Sequence, residues 1–162
     1  MYYFAYGSNM CTARLAARVP GVKSVGMAWL SGHRLHWHLR GNDGSGKCNI
    51  VLTHDPDDRV YGVLFEFDVA HIGGLHAAEG PAYDYLQLEV GHADGVVEAA
   101  TYRGRSSWLE DGLIPFKWYH NFVVIGAHEH HLPASWVDRL SSVATVKDPD
   151  RERAALNSAI LG

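Results

Sequence analysis

Tyr2-Tyr3-Phe4-Ala5-Tyr6-Gly7-Ser8-Asn9 opens the chain as an apolar run cut short by a glycine and two small polar residues. The run reads as a short buried strand, Tyr2 to Tyr6. Gly7-Ser8-Asn9 reads as a sharp turn into a helix over about Cys11–Val19, with Ser8 or Asn9 as its cap. That helix ends before Pro20. Working outward, Val22–Leu30, His33–Leu39, Cys48–Thr53, Val60–Phe67, Tyr83–Val90 and Val96–Tyr102 read as further strands. Leu35, Trp37 and Leu39 alternate with His36 and His38, the period of a strand with one face packed. Ala93-Asp94-Gly95 marks a hairpin. Asp68 is placed to cap a short helix ending near Ala78.

Past Pro115 the periodicity changes. Phe116–His128, Pro133–Val143 and Arg151–Ile160 carry helical spacing. Strands first and helices last indicate an α+β protein built on a mostly antiparallel sheet or a closed barrel. The 162 residues fit one domain, 1–162, with a helical tail over about 147–162.

Bulk properties narrow the function classes. The formal net charge is -4, and no Lys/Arg run is present, which argues against a general nucleic-acid binder. No stretch approaches the ~20 apolar residues of a membrane-spanning helix. Cys11 and Cys48 are the only cysteines, far apart and outside any CxxC spacing, as expected in a reducing compartment. The opening residues carry no positively charged n-region. A cytoplasmic location is therefore expected.

Several constellations bear on chemistry. The Tyr6-Gly7-Ser8-Asn9 turn offers open backbone amides where a carboxylate could be cradled, although a plain strand-to-helix turn has the same composition. Glu79 ends a short, largely apolar helix just before Gly80-Pro81. Docked on a sheet, it would be buried, raised in pKa and suited to general-base work; on composition alone it reads as readily as a solvated helix-end carboxylate. Gly41-Asn42-Asp43-Gly44-Ser45-Gly46-Lys47-Cys48 approaches a phosphate-binding loop. It has Cys48 where a hydroxyl is required, and a strand follows where a helix is required, so a hairpin loop is expected. His33, His36 and His38, and His128, His130 and His131 with Glu129, lack the i, i+4 spacing of a zinc site. The Gly-x-Ser-x-Gly elbow is absent around Ser8. Tyr119, on an otherwise apolar helix, is a core residue unless its hydroxyl reaches a cleft.

Taken in order, these segments resemble the γ-glutamylcyclotransferase family, including its AIG2-like branch. The resemblance rests on Tyr3-Phe4-Ala5-Tyr6-Gly7-Ser8-Asn9-Met10, Val60-Tyr61-Gly62-Val63-Leu64-Phe65, Leu75-His76-Ala77-Ala78-Glu79-Gly80, and Tyr119 followed by Ile125-Gly126-Ala127-His128-Glu129 and Leu132-Pro133. It implies a mixed, mostly antiparallel β-barrel with flanking helices, an enzyme without metal or cofactor, and a small-molecule γ-glutamyl substrate. The implied reaction is attack of the substrate's α-amino group on its own γ-carbonyl, releasing 5-oxoproline and an amine. Glu79 is then the catalytic acid–base, with Tyr3, Tyr6, Gly7, Ser8, Asn9, Tyr85 and Tyr119 as substrate-binding residues. The match to Tyr85 needs a one-residue gap. His76 stands where the family carries an acidic residue. The 41–46 loop and the segment from Arg103 to Pro115 have no counterpart, and the latter lies where leaving-group specificity could be set. Two alternatives keep the scaffold: removal of a γ-glutamyl group from a larger biosynthetic intermediate, and a non-catalytic binding domain. Related enzymes include dimers, and Trp108 would be an aromatic marker of such an interface.

Overall fold

β1 (Tyr2–Ala5) lies between two partners in the computed structural model, which describes residues 1–162. It pairs antiparallel with β5 (Arg59–Glu66), Phe4 opposite Leu64, and parallel with β7 (Gly95–Gly104) through Tyr3 and Ala100. With β2 (Lys23–Ser31) and β6 (Tyr83–His92) these strands close a barrel in the order β1-β5-β2-β6-β7. The β1–β7 contact is the parallel step that closes an otherwise antiparallel ribbon. The mixed, mostly antiparallel barrel with flanking helices is thus the fold observed.

β3 (His33–Arg40) and β4 (Gly46–Leu52) do not join the barrel; they form a two-stranded sheet of their own. The glycine-rich loop joins them as a hairpin, as its sequence indicated. The alternation in β3 is visible in the burial of Leu35 and Leu39, while His36 and His38 stack at 4.9 Å. Two contacts tie the hairpin to the barrel. Asn49 Oδ1 accepts from the Gly104 amide at 2.7 Å, and the Tyr83 hydroxyl donates to the Cys48 carbonyl at 3.1 Å.

Phe4, Val63, Phe65 and Val90 belong to one buried core that continues onto α3 (Lys117–Glu129), Phe4 lying on the opposite face of the barrel wall from Val63 and Phe65. Trp118, Tyr119, Phe122, Val123, Gly126 and Ala127 are buried along α3, an i, i+4, i+8 stripe that turns one face of the helix to the core. Gly126 lets this helix come close. A Cβ there would stand 2.5 Å from both the Cys11 nitrogen and the Met10 carbonyl carbon, so α3 rests directly on the backbone of the opening turn. Beyond it, α4 (Ala134–Ser141) covers the barrel with Trp136, Val137 and Leu140. α5 (Arg151–Ala159) is capped by Asp150, whose side chain accepts from the Arg153 amide at 2.9 Å.

Two local expectations change. The first helix, α1 (Thr12–Ala16), is shorter than its apolar spacing indicated and begins after a single 3₁₀ turn at Ser8–Met10. Neither Ser8 nor Asn9 caps it. Their polar atoms are turned to other partners, described below. Asp68 does act as a cap, accepting from the Ala70 amide at 2.9 Å, but over a 3₁₀ turn that precedes α2 (Ile72–Glu79). No helix is long and apolar enough to cross a membrane.

Candidate active site

The end of β1, the end of α2 and the β3–β4 hairpin converge on a cavity of about 380 Å³. Tyr6, Gly7, Ser8 and Asn9 supply one wall, Glu79 and Ala82 the second, and Gly41, Lys47 and Cys48 the third. The convergence follows from local structure. Gly80, with φ 66°, ends α2 in a conformation open to glycine, and Pro81 prevents the helix from continuing. Glu79 is thereby left as the last side chain of α2, turned toward the opening turn. Gly7 brings that turn against the hairpin, since a Cβ there would lie 3.1 Å from Cys48 Cβ and 3.3 Å from the Tyr119 hydroxyl.

Glu79 is only 14% exposed. Its Oε1 accepts from Asn9 Nδ2 at 2.7 Å and lies 3.7 Å from the Arg18 guanidinium. Arg18 in turn donates to Asn9 Oδ1 at 2.8 Å, and Asn9 Nδ2 also donates to the Tyr3 hydroxyl at 3.0 Å. Burial raises the pKa of Glu79 above the usual carboxylate value; Arg18, the Asn9 hydrogen bond and Arg14 oppose it without cancelling it. Glu79 is therefore a better proton acceptor near neutrality than a solvated glutamate. The alternative of a solvated helix-end carboxylate does not describe its surroundings.

Both protons of the Asn9 amide are committed, one to Glu79 and one to Tyr3. The Asn9 side chain thus orients Glu79 and has no donor left for a substrate. Ser8 is turned the other way, and its Oγ accepts from Arg14 Nε at 3.1 Å. The Met10 and Cys11 amides bond back to the Gly7 and Ser8 carbonyls at 3.0 and 3.2 Å. The amides that precede them in the turn are the ones a ligand would meet.

The tyrosines divide by position. Tyr3, Tyr6 and Tyr119 line the cavity, as expected from sequence. Tyr85 does not: it is 40% exposed, its ring packs edge-on against Tyr102 and His76, and its hydroxyl accepts from Gln87. Two residues earlier, the turn into β6 directs Tyr83 into the cavity, where its hydroxyl reaches the Cys48 carbonyl. Tyr102, on β7, is a further lining residue that sequence reasoning missed. Its hydroxyl lies 2.7 Å from Nδ1 of His76, so the imidazole at the position noted as divergent contacts the cavity wall.

Burial pushes Tyr3, Tyr6, Tyr83 and Tyr119 well above the ordinary phenol value, so they remain phenols and act through hydrogen bonds. Tyr6 is fully engaged as a tether, donating to the Tyr102 carbonyl. The Tyr119 oxygen accepts from the Cys48 amide at 3.0 Å, which leaves its own proton for the cavity. Cys48 is pushed up to about 12 by burial, so its thiol stays protonated and is no nucleophile at neutral pH. No group of three or more His, Cys, Asp or Glu side chains is placed to hold a metal ion.

The 41–48 loop, unassigned by sequence, contributes Gly41, Asn42, Asp43 and Lys47 to the lining, and α5 contributes Arg153. No residue between Arg103 and Pro115 is among those lining the cavity. Trp108 is half-buried, with the Arg40 guanidinium 5.8 Å from its ring.

Residues 59–140, half of the chain, match the model of the AIG2-like family. The chain belongs to the AIG2-like family. Among curated proteins it is similar to the γ-glutamylcyclotransferases of Bos taurus and Homo sapiens, each 27% identical over 149 residues, covering 87% of this chain and 77% of theirs. In structure, this AIG2-like chain superposes on a γ-glutamyl cyclotransferase with a TM-score of 0.83 at 21% identity, over 98% of both chains. An uncharacterised human protein gives 0.82 at 22% identity over 97% of both. These likenesses establish that the barrel, hairpin and helices are those of an existing AIG2-like fold.

Proposed function

We propose that the protein is a γ-glutamylcyclotransferase, releasing 5-oxoproline from a small γ-glutamyl amide with Glu79 as its acid–base. The observation that carries this reading is the Glu79 carboxylate, buried at the cavity wall and held at 2.7 Å by Asn9 of the Tyr6-Gly7-Ser8-Asn9 turn. The two segments that mark the family in sequence meet at one hydrogen bond. The names of the curated relatives agree with the reading.

The substrate brings its own nucleophile, so the cavity's first task is to fold the glutamyl chain back on itself. Tethering of this kind supplies much of the rate. Glu79 takes a proton from the α-ammonium. The freed amine attacks the γ-carbonyl carbon, forming the ring C–N bond and placing the electron pair on oxygen. That first proton passes on to solvent; Glu79 then takes the second proton from the positively charged ring nitrogen and delivers it to the leaving nitrogen as the original C–N bond breaks, leaving a neutral lactam and a free amine. The raised pKa of Glu79 suits both transfers. Backbone amides of Gly7 and Ser8 are the donors assigned to the α-carboxylate and the oxyanion, and the free proton of Tyr119 is a third donor within the same wall. Tyr3 and Asn9 hold Glu79 in position.

The direct test is incubation of purified protein with γ-glutamyl amides and detection of 5-oxoproline and free amine in equal amounts. A folded Glu79→Gln protein that turns over at the wild-type rate would rule the assignment out.

A further inference from the structure

Tyr102 is the one phenol of the cavity whose hydroxyl meets a side chain of α2, the helix that Glu79 ends. Its oxygen lies 2.7 Å from His76 Nδ1. The other cavity phenols are engaged elsewhere. Tyr3 accepts from Asn9, Tyr6 and Tyr83 donate to the Tyr102 and Cys48 carbonyls, and Tyr119 accepts from the Cys48 amide. His76 stands three residues before Glu79. Side chains so spaced on a helix are neighbours, with Cβ atoms about 5–6 Å apart. The Tyr102 hydroxyl is therefore held within one helical turn of the carboxylate. Burial raises its pKa, and the charge of Glu79 raises it further.

The imidazole is exposed but braced. Tyr85 and Tyr102 pack edge-on against it, with ring centres at 5.1 and 5.8 Å. A phenol is a stronger acid than a neutral imidazole N–H, and an imidazole nitrogen is a stronger base than a phenol oxygen. The favoured polarity of the shared bond is therefore O–H of Tyr102 donating to Nδ1 of His76. Nε2 has no partner within the protein and is left to carry the imidazole proton in water.

The chemistry calls for an acceptor at this place. Once Glu79 has removed the first proton, the attacking nitrogen keeps two, and it turns positive as the ring C–N bond forms. Glu79 can meet one of them through Oε2, since Asn9 and Arg18 both address Oε1. The groups that surround Glu79 are donors. The Asn9 amide is spent on Glu79 and Tyr3, Arg18 is a cation, and Tyr3, already an acceptor, has its proton to give. A phenol oxygen whose proton points at His76 supplies a neutral acceptor among them.

We infer that His76 is a positioning residue: by accepting the Tyr102 proton at Nδ1, it turns the phenol oxygen toward the attacking nitrogen, where that oxygen accepts from the second N–H. This rests on the reaction proposed above. Tyr102 touches the substrate, and His76 acts through it. The contact strengthens as charge develops on the ring nitrogen, so it speeds the chemical step more than it aids binding. Without His76 the phenol proton has no protein acceptor and is free to turn into the cavity, where it opposes that charge.

Steady-state release of 5-oxoproline from one γ-glutamyl amide tests this in His76→Leu, His76→Asn, Tyr102→Phe and the His76→Leu/Tyr102→Phe double variant. In His76→Leu and in Tyr102→Phe, kcat should fall by about ten- to a hundredfold, the range of one hydrogen bond to a charged group, with KM changed by no more than about threefold. His76→Asn, whose side-chain oxygen can replace Nδ1 as acceptor, should stay within about threefold of wild type. Adding His76→Leu to Tyr102→Phe should cost nothing further, because the group it positions is already gone. An unchanged kcat in folded His76→Leu overturns the inference. So does a loss of full size when His76→Leu is added to Tyr102→Phe, or a His76→Asn protein as slow as His76→Leu. Tyr102→Phe keeps its ring and loses only the hydroxyl, so wild-type kcat in that protein overturns the inference whether or not His76→Leu folds. In each of these cases the wild type still turns over and the reaction stands. A wild-type protein that releases no 5-oxoproline fails the reaction assignment itself, and the role of His76 falls with it.

Discussion

Asn9 and Glu79, 70 positions apart in the chain, share a hydrogen bond of 2.7 Å that fixes the carboxylate against the opening turn. Arg18 closes the group by touching both, donating to Asn9 Oδ1 at 2.8 Å and standing 3.7 Å from Glu79 Oε1. Removing the carboxylate should therefore remove the chemistry. Glu79→Gln keeps the shape and can still bond to Asn9, so thermal unfolding should change by only a few degrees. Turnover should fall by about a hundred- to ten-thousandfold, the range of general acid–base contributions. Rates of 5-oxoproline release beside a circular-dichroism melt would show both.

The pH profile has a defined sign. A general base works when deprotonated, so kcat/KM should climb with pH through the pKa of Glu79. Burial raises that pKa, placing the midpoint of the acid limb above the ordinary glutamate value of 4.5. Arg18 and the Asn9 bond hold it down. Arg18→Met or Asn9→Leu should move the limb to higher pH, lowering the rate most in mildly acidic solution. A limb unmoved by either change would mean that another group is being titrated.

Tyr119 and Tyr85 should separate cleanly. Tyr119→Phe leaves the buried Cys48 amide without its acceptor, at a cost of about 1–3 kcal/mol. It also removes a donor from the cavity, so stability and turnover should both drop. Tyr85→Phe alters a hydroxyl on an exposed residue of β6 that does not line the cavity and should leave both near wild type. Chemical denaturation with parallel rate measurements would tell them apart, and an inactive, stable Tyr85→Phe protein would contradict the placement of β6.

Gly126→Ala should destabilise the fold. The added methyl meets the backbone at Met10 and Cys11, which cannot swing aside as a side chain can. Overpacking of this kind costs about 1–3 kcal/mol, a drop in Tm of about 2–4 °C per kcal/mol for a chain of this size. Because the displaced segment is the opening turn, activity should fall further than stability alone predicts.

Asp148 anchors the last helix. Fully screened from solvent, it accepts from Trp118 Nε1 at 2.8 Å and from Arg153 Nε at 2.7 Å, and these bonds hold its carboxyl well below the usual carboxylate range. The folded pKa is depressed, so its contribution is present above about pH 4, the unfolded value, and is lost as pH falls toward the folded one. Asp148→Asn should flatten that part of the acid-stability curve, measurable through the fluorescence of Trp118.

Much of this was legible in the residues. β1, β5 and the β6–β7 hairpin followed from apolar runs and glycine punctuation, and α3 to α5 from spacing after Pro115. Glu79 and the Tyr6-Gly7-Ser8-Asn9 turn were each ambiguous in isolation and gained meaning from family order. What stayed hidden was the partition of strands, since periodicity marks a packed face without naming the sheet. Tyr83 was missed for Tyr85 because the two lie on the same face of β6, two residues apart, and spacing in sequence does not say which of them reaches the cavity. Arg14 and Arg18 carried no signal of their own in the sequence. Only the tertiary fold brings Ser8, Asn157 and Glu79 to them.

The Cys48 peptide is gripped from two sides, its amide by Tyr119 on the helical layer and its carbonyl by Tyr83 on the barrel. Hairpin, barrel and helix thus share one keystone at the mouth of the cavity. A partly denatured molecule would have no residual catalytic geometry to lend it a fraction of the rate. Enzymatic activity followed through a denaturant series should then vanish in step with the loss of cooperative structure, making turnover a gauge of how many molecules remain wholly native.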